Sequence, residues 1–240
     1  MEQTAKNKIF RVGILGGMGP LAGVRLQQLI IEATPATRDQ EHLEVVCFTN
    51  PHIPDRTESL ACNNGSAYLA SLISSARILE STGVTTIVIP CNTAHARLES
   101  LQKNISIPVL DMISLALESI AASCQGRARI GLLATDGTLR ERVYENLGDK
   151  HGFSFVLPNS ADQQRLMETI YDIKGGKKNG VRNTIMGIAS RLVSRGADAV
   201  LFGCTELSLY AKHNMFSMLS VPLIDPLRVV AHKLVALAQE

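Results

Sequence analysis

The sequence predicts an α/β fold of two similar lobes, each a mostly parallel sheet flanked by helices, with the active site in the cleft between them. Two observations predict this fold. Short runs rich in Val and Ile alternate with longer segments of helical periodicity, a pattern typical of parallel strands joined by crossover helices. In addition, three blocks of sequence recur in the same order further along the 240-residue chain. A chain of this length has room for two lobes that each bury a core.

The apolar runs place the strands, and proline marks two helix starts. The predicted strands are residues 10–15, 44–48, 84–89, 107–110, 129–133 and 199–202. Pro20 follows the glycine-rich segment 13–19 and predicts the first residue of a helix, because that position tolerates a missing N–H. The last helix is expected to begin at Pro226 and to pack back onto the first lobe.

The recurring blocks indicate an internal duplication. Residues 11–19 resemble 129–137, residues 83–91 resemble 196–204, and residues 106–111 resemble 220–225, at offsets of 118, 113 and 114. Any one match would be weak, but three in the same order at nearly the same offset indicate a repeated unit. We therefore predict one lobe formed by residues 1–114 with 226–240, and a second formed by residues 115–225.

Composition excludes several classes of protein. The formal net charge is only +2, and the basic residues are scattered, so neither nucleic acid nor an anionic membrane is expected as a partner. The hydrophobic content of 45% excludes disorder, and no window approaches the roughly 18 apolar residues of a membrane span. Because the first ten residues are polar and lack the apolar run of a signal peptide, we expect a soluble, cytoplasmic protein.

The five cysteines divide into a matched pair and three others. Their odd number and the absence of CxxC spacing predict reduced thiols. Cys91 and Cys204 end the matched blocks directly after a strand, which is where ligands bind in parallel α/β sheets. They are therefore expected to face each other across the cleft, whereas Cys47, Cys62 and Cys124 are expected to be core residues. Helices starting near Ala94 and Glu206 would lower the pKa of both paired thiols.

Two opposed thiols suit the inversion of an amino-acid α-carbon. Removing its proton leaves a near-planar carbanion, so inversion needs a base on one face and an acid on the other. The small polar residues that follow the two cysteines could bind a carboxylate: Asn92, Thr93 and Thr205. Arg56 and Lys174 each lie 45 residues beyond the start of their own repeat. They could clamp a second carboxylate, with Asp55 fixing Arg56.

Three other interpretations stay open on the residues alone. Cys91 and His95, with Cys204, could bind a metal, although no second close-spaced ligand pair is present. Residues 17–22 fit the G-x-G-x-x-A pattern of dinucleotide sites, but the strand at 44–48 is not followed by the expected acidic residue. An NAD(P)-dependent oxidoreductase is thereby disfavoured. A protein that binds an amino acid without catalysis would need the same cleft.

Five motifs resemble the aspartate/glutamate racemase family, and more closely its aspartate racemase branch. They are residues 16–20 (GGMGP), 54–57 (PDRT), 90–95 (PCNTAH), 173–176 (IKGG) and 203–207 (GCTEL). The resemblance implies a homodimeric racemase that uses no cofactor and no metal. It implies that Cys91 and Cys204 are the acid/base thiols and that the small-molecule substrate is a dicarboxylic amino acid.

The resemblance also implies the substrate contacts. The α-carboxylate and amino group would be held by Asn92, Thr93, Thr205 and Thr135; the side-chain carboxylate by Arg56 and Lys174, with Met18 and Asp55 completing the site. Glutamate racemases carry Asp-Ser at Gly16-Gly17 and Thr-His at Thr205-Glu206, so both departures favour aspartate as substrate. A glutamate or broader-specificity racemase and a maleate isomerase-like enzyme remain alternatives.

Overall fold

Two parallel sheets organise the chain, one in each lobe, and they confirm the predicted fold class. A computed structural model describes residues 10–124, 127–177, 179–210 and 219–240. Strands β1 (Arg11–Gly16), β2 (Glu44–Thr49) and β3 (Thr86–Val88) form the first sheet, in the order β2-β1-β3. Strands β4 (Arg129–Ala134), β5 (Ser154–Val156), β6 (Ala199–Gly203) and β7 (Leu223–Ile224) form the second, in the order β5-β4-β6-β7. All the strand pairs are parallel.

Helices connect and cover these strands. They are α1 (Pro20–Ala33), α2 (Arg56–Asn63), α3 (Ser66–Ser81), α4 (Leu98–Gln102), α5 (Met112–Ser123), α6 (Asp136–Arg140), α7 (Glu145–Gly148), α8 (Ser160–Lys174), α9 (Val181–Ser194), α10 (Thr205–Ser208) and α11 (Pro226–Leu237). Helices α1 and α11 begin at Pro20 and Pro226, as predicted. Across the described ranges, none of the helices combines the length and the apolar character needed to cross a bilayer.

The segment predicted as a strand at residues 107–110 forms only a single bridge. Val109 bridges to Ile87, whose N–H donates to the Pro108 carbonyl and whose carbonyl accepts from the Leu110 N–H. Pro108 has no N–H to donate, so a longer ladder cannot form there. The short strand β5 was not predicted, because three residues are too few to show a period.

The two helices that follow the repeated blocks pack on opposite sheets. In α5, Ile113 and Leu117 pack in a cluster with Ile130 of the second sheet. In α11, Leu227 and Val230 pack in a cluster with residues of the first sheet, Val12 and Ile14. An Asp side chain caps the start of each helix, Asp111 for α5 and Asp225 for α11. The chain thus passes between the sheets near these caps, while the lobe boundaries at residues 114 and 225 stay predictions.

The three unpaired cysteines are not core residues, so that prediction is wrong. Cys47 and Cys62 are exposed, and Cys124 is half-buried. Strand β2, which carries Cys47, lies at the edge of its sheet, where alternate side chains face outward. Cys62 lies on the outer face of α2. Only Cys91 and Cys204 are buried.

Gly137 lies where the lobes touch, and a methyl group there is expected to destabilise the fold. A Cβ atom on Gly137 would lie 2.7 Å from Thr57 Oγ1 and 2.9 Å from the Thr57 backbone, which cannot move without opening the cleft. We expect Gly137→Ala to lower the free energy of unfolding by about 1–3 kcal/mol, measured by urea denaturation.

Gly187 supplies the matched control, because it also lies in a helix but has space beside it. The nearest atom to an added Cβ is 3.5 Å away, at the end of the Arg191 side chain. Gly187→Ala should raise the free energy of unfolding by up to about 1 kcal/mol, since alanine favours the helix. Equal changes in the two variants would contradict the close contact at Gly137.

Candidate active site

One narrow polar cavity lies between the carboxyl ends of the two sheets. Cys91 follows β3 and Cys204 directly follows β6, and each is only 5% exposed. The cavity is lined by Met18, Asp55, Arg56, Thr57, Cys91, Asn92, Thr93, Thr135, Lys174, Cys204, Thr205 and Glu206. The structure therefore brings all ten predicted site residues together. Thr57 and Glu206 were not predicted.

A cluster of three threonine hydroxyls joins the lobes at one side of the cavity. Thr93 Oγ1 lies 2.9 Å from both Thr135 Oγ1 and Thr138 Oγ1, which are 3.0 Å apart. Thr135 also caps α6 by accepting from the Thr138 N–H. Each hydroxyl has one donor and two acceptor sites. Because a closed triangle uses each donor once, the free capacity that remains is for accepting hydrogen bonds.

Asn92 offers the complementary group, a free donor. Its Oδ1 accepts from the Tyr144 hydroxyl of the second lobe, which fixes the orientation of the amide. Its Nδ2 is buried and has no hydrogen-bond partner among the described residues. A buried amide left in this state is a ready donor to a carboxylate. Burial raises the pKa of Tyr144 well above its ordinary value, so its hydroxyl stays protonated.

Arg56 is buried and mostly committed to the backbone of its own lobe. Its guanidinium donates to the carbonyls of Met18 (3.0 Å), Pro54 (3.0 Å) and Ile53 (3.3 Å). Only Nε lacks a partner among the described residues. Burial opposes the charge, but Cys91 and nearby carboxylates hold the pKa of Arg56 above its usual value. Arg56 thus forms part of the cavity wall, held in place by the backbone of its own lobe.

Asp55 forms an ion pair with Lys174 across the cleft. The sequence predicts a different role, in which Asp55 fixes Arg56. Asp55 Oδ1 accepts from the Glu58 N–H as the cap of α2, and Oδ2 lies 3.7 Å from Lys174 Nζ. Although burial of the guanidinium opposes the effect, the Asp55 charge still contributes, after that of Cys91, to the raised pKa of Arg56. Burial lowers the pKa of Lys174, but Glu206 and Cys204 outweigh it and hold that pKa above its ordinary value. The lysine is therefore a cation beside the thiols.

Cys204 is held as a thiol by Glu206. Its Sγ donates to Glu206 Oε2 at 3.0 Å. Burial, followed by the negative charge of Glu206, raises the pKa of Cys204 well above its ordinary value. The prediction that a helix N-terminus favours the Cys204 thiolate is therefore wrong. Helix α10 has only four residues, and its dipole is too small to offset a buried carboxylate.

Sequence reasoning missed Glu206 and Thr57 for the same reason. Both lie inside motifs that predict the site, directly after Thr205 and Arg56, but the sequence indicates a substrate contact only for those two neighbours. An acidic residue two positions after a paired cysteine was the available signal for Glu206. Its orientation toward the sulfur depends on the turn that follows β6, which has no periodic signature.

The fold and the paired thiols define a racemase-type isomerase. The chain belongs to the Asp/Glu/Hydantoin racemase family, whose sequence profile matches residues 15–234. It is similar to the solved Picrophilus torridus aspartate racemase, with a TM-score of 0.82 and 28% identity, over 96% of this chain and 94% of that one.

Two curated relatives differ in their substrates. The broad specificity amino-acid racemase RacX of Bacillus subtilis is 24% identical over 220 residues, covering 89% of this chain and 92% of RacX. The glutamate racemase of Lysinibacillus sphaericus is 30% identical over 139 residues, covering 57% of this chain and 51% of that enzyme. Because their names give different specificities, these relatives leave the substrate of this chain to be tested.

Proposed function

We propose that this chain is a cofactor-independent racemase that interconverts L- and D-aspartate through two cysteine acid/base groups. The observation that carries the proposal is the shared cavity, which is lined by one buried thiol from each lobe and by two cations.

The neutral groups of the cavity suit the α-carbon substituents. The free amide donor of Asn92 can bind the α-carboxylate, and the Thr93 hydroxyl, which keeps a free acceptor site, can accept from the ammonium group. Proton removal moves negative charge from the α-carbon onto the carboxylate oxygens. Donors that are already oriented toward those oxygens stabilise this charge more in the transition state than in the bound substrate.

The proton transfers balance without a further reactant. One cysteine, as thiolate, takes the α-proton, and the other, as thiol, gives its proton to the opposite face of the carbanion. The substrate leaves inverted, and the negative charge has moved from one sulfur to the other. The reverse reaction starts from that second state, so the same pair works in both directions.

The two cations favour a dicarboxylic substrate. Arg56 Nε and Lys174 Nζ are the groups that would contact a second carboxylate. Residues Gly16 and Gly17 and the acidic Glu206 favour aspartate over glutamate, because glutamate racemases carry different residues at these places. The structural similarity to an aspartate racemase supports the same choice.

Solvent exchange tests the proposal directly. Purified protein incubated with L-aspartate in D2O, without added cofactor, should replace the α-proton by deuterium and form D-aspartate. NMR follows the exchange, and chiral chromatography follows the inversion. Parallel samples with D-aspartate, L-glutamate and L-alanine rank the substrates. Absence of exchange with every acid would overturn the racemase proposal, and faster exchange with glutamate would overturn the choice of aspartate.

We also propose a cytoplasmic location and a homodimer. The five free cysteines, an odd number, suit a reducing compartment and support the location. Three apolar side chains of α1 are more than half exposed, Leu21, Val24 and Ile31, and they offer a surface on which a second copy could pack.

A further inference from the structure

Glu206 connects the glycine loop of the first lobe to the thiol of the second. Its carboxylate is 4% exposed, and both oxygens are engaged. Oε1 accepts from the Gly19 N–H at 3.0 Å, and Oε2 accepts from Cys204 Sγ at 3.0 Å. One buried carboxylate therefore holds a backbone group of one lobe and a reactive side chain of the other.

This contact restricts where a proton can be. A thiolate 3.0 Å from a carboxylate would place two negative charges side by side in a buried site, which is strongly unfavourable. The charged or titratable groups facing the pair are Lys174, Arg56, Cys91 and Tyr144. Lys174 and Arg56 favour a single negative charge on the Cys204–Glu206 pair. The pair therefore retains one proton, on the sulfur.

The duplication shows that this arrangement exists in only one lobe. The offset of 113 residues that relates Cys91 to Cys204 also relates Thr93 to Glu206. The Thr93 hydroxyl is bonded to neutral hydroxyls, and the cations Arg56 and Lys174 both act on Cys91. The two thiols are equivalent in sequence position, but among the described residues only Cys204 donates to a carboxylate.

We propose that Glu206 is a positioning residue that keeps the resting proton on Cys204, so that Cys91 is the base that acts first. This inference rests on the proposed function for its meaning in the reaction. In that step the α-proton moves to Cys91, and the Cys204 proton moves to the opposite face of the α-carbon. The resulting negative charge on Cys204 lies beside the Glu206 carboxylate, so this form is higher in energy than the resting one, and Lys174 offsets part of the repulsion. The resting enzyme is therefore in the form that deprotonates the enantiomer whose α-hydrogen points at Cys91.

The test measures protonation, because rates alone cannot reveal this asymmetry. The equilibrium constant between two enantiomers is one, so any variant must change kcat/KM equally in both directions. We therefore choose the pH dependence of Cys204 alkylation by iodoacetamide, followed by mass spectrometry of the Cys204 peptide. Only the thiolate reacts.

Glu206→Gln separates charge from shape. The glutamine keeps an oxygen that can accept from the Gly19 N–H, but it removes the negative charge beside the sulfur. The midpoint of Cys204 alkylation should fall by about 1–2 pH units. The alkaline limb of the kcat/KM profile, which reports loss of the proton from the acid, should move to lower pH by the same amount.

Glu141→Gln is the matched control. Glu141 also joins the lobes, through an ion pair with Arg97 at 2.8 Å, but it does not line the cavity. In the Glu141→Gln variant, the pH midpoint of Cys204 alkylation should equal that of the wild type. An unchanged midpoint in a folded Glu206→Gln protein would overturn the inference, even if the wild type racemises aspartate. A shifted midpoint in a protein that exchanges no α-proton would support the Glu206–Cys204 coupling and overturn the proposed function.

Discussion

Replacing either Cys91 or Cys204 with alanine is expected to lower racemisation of aspartate at least about a thousandfold. A single remaining thiol can reach only one face of the α-carbon, so it cannot complete the inversion. Chiral chromatography of the products after long incubation measures the loss. Near wild-type racemisation by either variant would contradict the two-base mechanism.

The single-thiol variants should also show which face each cysteine serves. In D2O, a variant with one thiol can take the α-proton of one enantiomer and return deuterium to the same face, giving exchange with retention. Cys91→Ala and Cys204→Ala should therefore exchange opposite enantiomers. Cys47→Ala is the control, because Cys47 is exposed and lies away from the cavity, and it should behave as the wild type.

Removing the Arg56 side chain is expected to have the second largest effect, and it should not be confined to dicarboxylic substrates. Sequence reasoning alone predicts that Arg56→Ala weakens the use of aspartate far more than that of other amino acids. The structure changes this expectation, because Arg56 also holds the carbonyls of Met18, Pro54 and Ile53. We expect kcat/KM to fall about a hundredfold or more for every substrate, since a buried charged anchor is lost.

Lys174 is the better test of side-chain recognition. Lys174→Met keeps most of the stem and removes the ammonium group. Steady-state kinetics should show a fall in kcat/KM at least about tenfold larger for aspartate than for alanine. Lys103→Met, on an exposed ion pair with Glu99, should change neither value. Equal losses for aspartate and alanine in Lys174→Met would contradict the clamp.

The sequence was most informative for strands marked by apolar runs and for site residues that lie at corresponding positions of the two repeats. Alternating apolar runs predicted β1, β2, β4 and β6 to within one residue at each end. The repeated blocks placed Cys91 and Cys204 at equivalent strand ends, and the motifs around them contain the ten residues that the structure brings to one cavity.

Contacts between the lobes could not be predicted, because they depend on side-chain rotamers and on how the two lobes pack against each other. The Asp55–Lys174 pair and the Glu206 contact with Gly19 each join residues more than 100 positions apart. The protonation of Cys204 depends on Glu206, which accepts from its sulfur. Similarly, the exposure of Cys47 depends on the position of β2 at a sheet edge, and composition carries no record of strand order.

Helix α5 packs on the second sheet and α11 on the first, so the molecule resembles a domain-swapped dimer whose two subunits are joined in one polypeptide. Each repeat ends in a helix that completes the hydrophobic core of the other repeat. A single repeat with its own helix folded back would be a symmetric unit, and two such units exchanging helices would contribute one thiol each. Because both repeats are joined in one chain, the two thiols can have different neighbours, with Thr93 where the other repeat has Glu206, whereas a symmetric pair of identical subunits would have the same neighbour at each thiol.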